Sequence, residues 1–296
     1  MSIENRFPGK DITPEDLETR FPLVAKRDAA HKSRFTVAGV EFGGDLVPVF
    51  AGPNMVESRD LIFDVATRVK QAGAHFLRGG AFKPLTFPYR SVKYTETREQ
   101  GIQWLKEAKD KTGMPVLTEV MEEKYIPLVA EVADILQIGA RNMQNFPFLT
   151  ACARTGKPIM LKRHYGASLR DWLGAAEYIL VEGNTNVILC ERGVSAPHTH
   201  RATSRFLLDL QVVPAAHEMT HLPVVVDPSH ATFWRQWVAP MALAGVAAGA
   251  DGVMLEVHPD PRNAAVDPLQ AIDYAEFATL VKRMDAVARA VERRVT

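Results

Sequence analysis

TREQGIQWLKEAKDKTGMPVLTEV (97–120) decides the fold. Its first part, Thr97–Thr112, is amphipathic and reads as a helix. Its second part, PVLTEV (115–120), is a short, nearly continuous apolar run, the pattern of a parallel strand covered on both faces. The same unit recurs on either side. Further runs lie at 47–53 (VPVFAGP), 74–79 (AHFLRG), 135–140 (ILQIGA) and 158–163 (PIMLKR). Three more follow at 187–192 (VILCER), 223–228 (PVVVDP) and 251–257 (DGVMLEV), and Asp60–Gln71 and Met241–Ala248 read as further helices. Eight strands alternating with helices predict an α/β protein, a (β/α)8 TIM barrel rather than an open doubly wound sheet.

The barrel is expected over residues 46–296, preceded by an extension over 1–45. Within that extension, FTVAGVEFG (35–43) predicts a hairpin that plugs the bottom of the barrel, the alternative being a disordered tail. A last helix near 275–293 carries Arg289, Arg293 and Arg294, which suit its dipole and point to a solvated C-terminus. No short-period repeat or low-complexity linker divides the chain.

Of the 296 residues, 47% are hydrophobic and 24% charged, enough for a large core. Lys+Arg and Asp+Glu both number 35, which excludes a globally basic nucleic-acid binder. No run reaches the roughly 20 apolar residues of a membrane span, and MSIENRFPGK lacks a signal-peptide core. Cys152 and Cys190 cannot form a disulfide framework. The expectation is a cytoplasmic protein with neither nucleic acid nor membrane as partner.

Polar residues gather at the predicted strand ends: Asn54, Arg78, Glu119, Arg141, Lys162 with Arg163, Arg192, His230 and Glu256. In a (β/α)8 barrel these ends converge on the mouth where active sites are built. Singly buried charges would cost several kcal/mol each, so these should satisfy one another or meet ligands. Arg78, Lys83, Arg141, Lys162 and Arg192 outnumber Glu119 and Glu256. Such a mouth suits a small anion bearing phosphate and carboxylate groups. The bland alternative is a set of structural salt bridges. His230, Glu256 and Asp267, with Asn54 as a fourth member, also form a plausible divalent-metal set, although an amide oxygen is a weak, hard ligand.

AGPNMVES (51–58), LRGGAFKP (77–84), LTEVM (117–121) and LQIGARNMQNF (136–146) run in order with LKR (161–163), CERG (190–193), VDPSHAT (226–232) and GADGVMLEVHPDP (249–261). Together they resemble the short, microbial 3-deoxy-7-phosphoheptulonate (DAHP) synthases, in the superfamily that includes 3-deoxy-octulosonate 8-phosphate synthase. The match spans roughly residues 35–280. The resemblance implies a transferase that condenses phosphoenolpyruvate with an aldose, first choice erythrose 4-phosphate, and releases phosphate. It implies that Arg78, Arg141, Lys162 and Arg192 hold phosphoenolpyruvate. Lys83 would lie between the substrates as proton donor to the aldehyde oxygen, and Glu119 would position attacking water. His230, Glu256 and Asp267 match three of four metal ligands.

Three departures matter. Asn54 stands where the family usually has its ligand Cys, as in a metal-independent octulosonate group. The expectation is no essential cofactor, with Asn54 and ordered water orienting the aldehyde, Lys83 stabilising the oxyanion, and His230 and Asp267 counted among the catalytic residues. A degraded site that binds a divalent ion weakly through His230, Glu256 and Asp267 is the alternative. The tetrose-phosphate signature Lys-Pro-Arg-Thr reads Lys83-Pro84-Leu85-Thr86, so the missing guanidinium must be replaced. Thr86 and Arg205 are the proposed contacts, with Arg90, Arg201, His198 and His200 as further candidates; otherwise another aldose, or a non-phosphorylated aldehyde, is the acceptor. Finally, Tyr165, Trp172, Trp234 and Trp237 follow the motifs as loop packing and suggest a reshaped acceptor side.

Two other classes remain. One is a Schiff-base aldolase with Lys162 as nucleophile, activated by Arg163 and Arg141. The other is a non-catalytic anion-binding barrel. The extension is too short for a ferredoxin-like or chorismate-mutase-like module, so feedback control within the chain is not expected. A homo-oligomer is expected, with outward apolar residues of Phe146–Ala153 as a contact.

Overall fold

The computed structural model describes residues 14–83, 96–197, 200 and 206–296. A short helix α1 (Pro14–Thr19) precedes a hairpin of β1 (Phe35–Val37) and β2 (Val40–Phe42). The repeating units then begin: β3 (Val49–Gly52), α2 (Arg59–Gln71), β4 (Phe76–Arg78), α3 (Arg98–Thr112), β5 (Val116–Glu119) and α4 (Ile126–Val132). They continue through β6 (Ile135–Ile138), α5 (Phe146–Ala153), β7 (Ile159–Lys162), α6 (Leu169–Val181), β8 (Val187–Glu191) and α7 (Val212–Met219). The last are β9 (Val224–Val226), α8 (Pro228–Thr232), α9 (Arg235–Ala247), β10 (Gly252–Glu256) and α10 (Tyr274–Ala290). Strands β3 to β10 form a closed parallel barrel in sequence order, with β10 returning to pair with β3. Each lies inside one of the eight predicted runs.

The continuous apolar runs have a simple cause. Successive strand residues face opposite sides, and in a barrel both sides are covered. Leu77, Leu136, Leu161, Leu189 and Leu255 face outward into the core shared with the helices. Phe50, Phe76, Leu117, Ile135, Met160, Ile188, Val225 and Met254 face inward and form a separate cluster in the barrel's lower half.

The hairpin closes that lower end. Its Val37 and Phe42 belong to the interior cluster. The Phe42 ring lies 6.1 Å from Phe50 and 5.7 Å from Phe76, which stack on each other at 4.8 Å. The turn between β1 and β2 places both Ala38 and Gly39 at positive φ, the geometry a tight two-residue hairpin requires. Among the described residues before it, 23–25 are docked against the barrel. The Glu177 carboxylate accepts the backbone N–H groups of Leu23 (2.9 Å) and Val24 (2.7 Å), and Ala25 bridges to Thr220.

The chain end departs from the solvated C-terminus expected. Arg289 is exposed and pairs with Asp285, but Arg293 turns inward to the carbonyls of Gly249 (3.2 Å) and Ala250 (2.9 Å) and to Asp251 (3.2 Å). Arg294 pairs through its backbone with Leu46. Orphan carbonyls at the barrel's lower rim need donors, and a guanidinium supplies several at once. Phe42→Ala should destabilise the protein by about 3–5 kcal/mol in denaturant unfolding, because no neighbour can fill the floor it leaves.

Candidate active site

Two residues above six of the eight apolar inward positions, the barrel interior turns polar. Phe76 is followed by Arg78, Leu117 by Glu119, Ile135 by Gln137, Met160 by Lys162, Val225 by Asp227 and Met254 by Glu256. A cavity of about 420 Å³ opens above this layer and is lined by Arg78, Lys83, Glu119, Arg141, Lys162, Arg192, His230 and Asp267. The structure therefore brings together all five expected cations. Asn54 is buried beside them.

Arg163 is the exception. Its neighbour Lys162 faces inward, so Arg163 faces outward, where its guanidinium meets Glu191 (3.0 Å) and Asp209 (2.8 Å). It cannot activate Lys162 from there. Thr86 and Arg205 lie outside the described residues, as do Leu85, Arg90, His198 and Arg201.

The layer is less cationic than the strand ends suggest. Lys162 is paired with Asp227 at 2.5 Å, and Arg78 approaches Glu256 at 3.4 Å. Asp227 is fully buried below the cavity. With it and Asp267 counted, the five cations face four carboxylates rather than two. Sequence reading passed over Asp227 by taking His230 as the polar end of its strand. In fact β9 ends at Val226 and His230 sits on α8, one turn further on. The signal was present, since an acid directly after an apolar run is itself a strand-end charge.

Burial and charge act against each other here. Desolvation would raise the Glu256 carboxyl, but the neighbouring His230, Arg78 and Lys83 hold it down at about 2. Desolvation likewise opposes ionisation of Asp227, yet the charges of His230 and Lys162 keep it well below the ordinary carboxylate range. Lys83 shows the reverse balance. Burial lowers its ammonium from the usual lysine value, and Glu119, Asp267 and Glu256 only partly restore it.

Asn54 links the two sides of this cluster. Lys83 Nζ donates to its Oδ1 at 2.5 Å, and its Nδ2 donates to Asp267 Oδ2 at 2.6 Å. An ammonium can only donate, which fixes the amide orientation. Asp267 is held at a positive φ of 50°, a conformation that costs a non-glycine residue and is kept by its surroundings. Glu119 lies across the mouth, where Gln137 Nε2 donates to it at 3.3 Å. Gly139 leaves room for it in this position, since a Cβ there would fall 1.9 Å from Glu119 Oε1 and push the carboxylate aside.

The metal reading can be tested on these contacts. One donor atom each from His230, Glu256 and Asp267 falls within 4.8 Å of the others, the spacing of a three-ligand site. The fourth position is not a ligand in waiting. Asn54 offers Asp267 a hydrogen-bond donor, and its one good ligand atom, Oδ1, is engaged by a cation. The donor set thus fits a hard ion through three residues, without the thiolate of a tight site.

The aromatic residues divide. Trp172 is fully buried within α6 rather than in a loop, and its Nε1 donates to the Leu161 carbonyl of β7 at 3.1 Å. Trp234 stands at the N-cap of α9 and Trp237 within it. Tyr165 differs, being 41% exposed and lining the cavity with Phe206 and Phe233. The Arg192 guanidinium lies 4.3 Å from the centre of the Phe206 ring, a cation–π contact.

Comparison with known proteins agrees with this architecture. A family model described as the DAHP synthetase I family matches residues 23–293. A phospho-2-dehydro-3-deoxyheptonate aldolase of Thermotoga maritima is 40% identical over 291 residues, 98% of this chain and 84% of that protein. A crystal structure of phospho-2-dehydro-3-deoxyheptonate aldolase (DAHP synthase) from Thermotoga maritima shares 39% identity with a TM-score of 0.86, over 93% of this chain and 78% of that one. A 2-dehydro-3-deoxyphosphooctonate aldolase of Bradyrhizobium diazoefficiens is 30% identical over 273 residues, 86% of this chain and 95% of that protein. With the family model covering the barrel from its N-terminal docking segment to its last helix, the chain belongs to the DAHP synthetase I family.

Proposed function

We propose that this protein condenses phosphoenolpyruvate with erythrose 4-phosphate, forming 3-deoxy-7-phosphoheptulonate and inorganic phosphate. One observation carries the reading: Arg78, Lys83, Arg141, Lys162 and Arg192 converge on a single cavity with Glu119 at its edge. Guanidinium groups bind phosphate and carboxylate with paired hydrogen bonds, and an enol phosphate carries both anions. Greater identity to a heptulosonate enzyme (40%) than to an octulosonate one (30%) favours the four-carbon acceptor.

In this mechanism Arg141, Lys162 and Arg192 hold phosphoenolpyruvate, with Arg78 beneath. C3 of the enol attacks the aldehyde carbon, and the aldehyde oxygen takes a proton from Lys83 Nζ. A lysine whose proton is loosened by burial is suited to that donation. Water positioned by Glu119 adds at C2, losing a proton, and the phosphate departs with its bridging oxygen. Fixed positive charge lowers the barrier because it is in place before charge develops. The aldose phosphate would be gripped by Thr86 and Arg205 in place of the family's arginine, or a different aldose is used.

Our reading needs no metal. The Asn54 amide already joins Lys83 to Asp267, so orientation of the aldehyde oxygen falls to Lys83, Asn54 and His230. An ion bound through His230, Glu256 and Asp267 would polarise the aldehyde oxygen as a Lewis acid. We further place the protein in the cytoplasm as an assembly of identical chains. The contact face is narrower than Phe146–Ala153, since Phe148, Leu149 and Cys152 point inward. Exposed Phe146, stacked at 4.3 Å on Tyr178 of α6, is its apolar centre. A Schiff-base route through Lys162 fits poorly, because an ammonium in contact with Asp227 has no lone pair to offer.

Phosphate release assayed over a panel of aldehydes should be fastest with erythrose 4-phosphate, and release with no phosphorylated aldose would overturn the assignment. Arg141→Ala should weaken phosphoenolpyruvate binding in calorimetry by roughly 2 kcal/mol, the size of a lost charge-assisted contact. Chelator treatment should leave turnover intact; a strong loss restored by a divalent ion would refute metal independence. Because Lys83 is lowered, its proton is lost at lower pH than an ordinary lysine's, so kcat should fall on the alkaline side. In Lys83→Arg, whose guanidinium stays charged, that alkaline fall should vanish from the residual activity.

A further inference from the structure

Asp227 lies beneath the cavity, out of reach of anything bound there, yet it touches two of the residues that line it. Its Oδ2 is 2.5 Å from Lys162 Nζ and 2.7 Å from His230 Nδ1. Its Oδ1 accepts the backbone N–H of His230 at 3.0 Å, capping the short helix α8. On the far side, His230 Nε2 is 3.0 Å from Glu256 Oε1, which is 3.4 Å from Arg78 Nη1. Ionisable groups thus run in close contact from Lys162 on β7 through Asp227, His230 and Glu256 to Arg78 on β4.

We propose that Asp227 is a positioning residue, whose single oxygen Oδ2 fixes both the Lys162 ammonium and the ring orientation of His230. The proposal rests on the functional reading above, in which Lys162 binds phosphoenolpyruvate. A lysine is a point charge on a flexible stem, and its place must be set by a partner. Productive geometry is lost with displacements of about an ångström, so the partner matters as much as the charge. With Nδ1 held against this carboxylate oxygen, Nε2 is the ring nitrogen turned toward Glu256. Capping alone does not account for this arrangement. A cap uses Oδ1 only, and an Asn or Ser would serve as well, whereas Oδ2 is spent wholly on the two site residues.

Asp227→Asn separates the two roles. It keeps Oδ1 for the cap and replaces Oδ2 by an amide that cannot accept from an ammonium. In the full-length protein, phosphoenolpyruvate affinity measured by calorimetry should drop about tenfold or more, and KM for the aldehyde should rise with it, because His230 loses its anchor as well. In a Lys162→Gln background the same change should alter phosphoenolpyruvate affinity by less than about twofold, since the partner is already gone. Wild-type affinity in Asp227→Asn, with only a lower melting temperature, would reduce Asp227 to a helix cap and overturn the proposal. An equal loss in the Lys162→Gln background would overturn it too, by showing that the effect does not pass through Lys162. If Asp227→Asn does not fold, Asp227→Ser retains a cap and carries the same two measurements. Absence of phosphoenolpyruvate binding by the wild-type chain would instead sink the functional reading.

Discussion

Closing eight parallel strands into a cylinder turns every second side chain into a space that holds only a few layers. In this chain the lower layers are filled by Phe50, Phe76, Leu117, Ile135, Met160, Ile188, Val225 and Met254, with Phe42 of the hairpin as floor. The next inward position on six of the eight strands is polar. Two strides along a strand therefore separate a dry core from a reactive surface, and the active site rests directly on the packing beneath it. The hairpin belongs to this arrangement, because an open lower end would admit water under the charged layer.

Gathering cations in such a place has a cost. Like charges at close range repel strongly where the effective dielectric is low, and a singly buried ion is unstable. Asp227 and Glu256 answer that cost, lying under Lys162 and Arg78 and bridging through His230. Near balance below the cavity permits convergence above it. The same carboxylates fix where the cations point, so stability of the unliganded barrel and readiness for an anion come from one network. Asn54 extends it by joining Lys83 to Asp267.

Much of this was legible from the residues. Strand count, strand class and the set of cations follow from local pattern, and the eight ordered motifs lead to the right family. The misreadings concern facing and reach. Arg163 looks equivalent to Lys162 in a linear text, but adjacent strand residues face opposite sides, and it serves the outer layer with Glu191. His230 overshadowed Asp227 because the strand ends one helical turn earlier than the histidine. Arg293 was read as a solvated cation, although the chain end doubles back to the barrel's lower rim.

The amino-acid order by itself determined that strands and helices alternate eight times and that charge accumulates where each strand stops. Those properties are local: they depend on hydrophobic period and on the residues next in line. Tertiary structure alone decided which of two neighbouring charges enters the barrel, which carboxylate lies under which cation, and that Asn54 is shared between Lys83 and Asp267. These depend on ring closure and on contacts between strands far apart in the chain. No spacing in the sequence records them, because the distance that matters is measured across the cylinder.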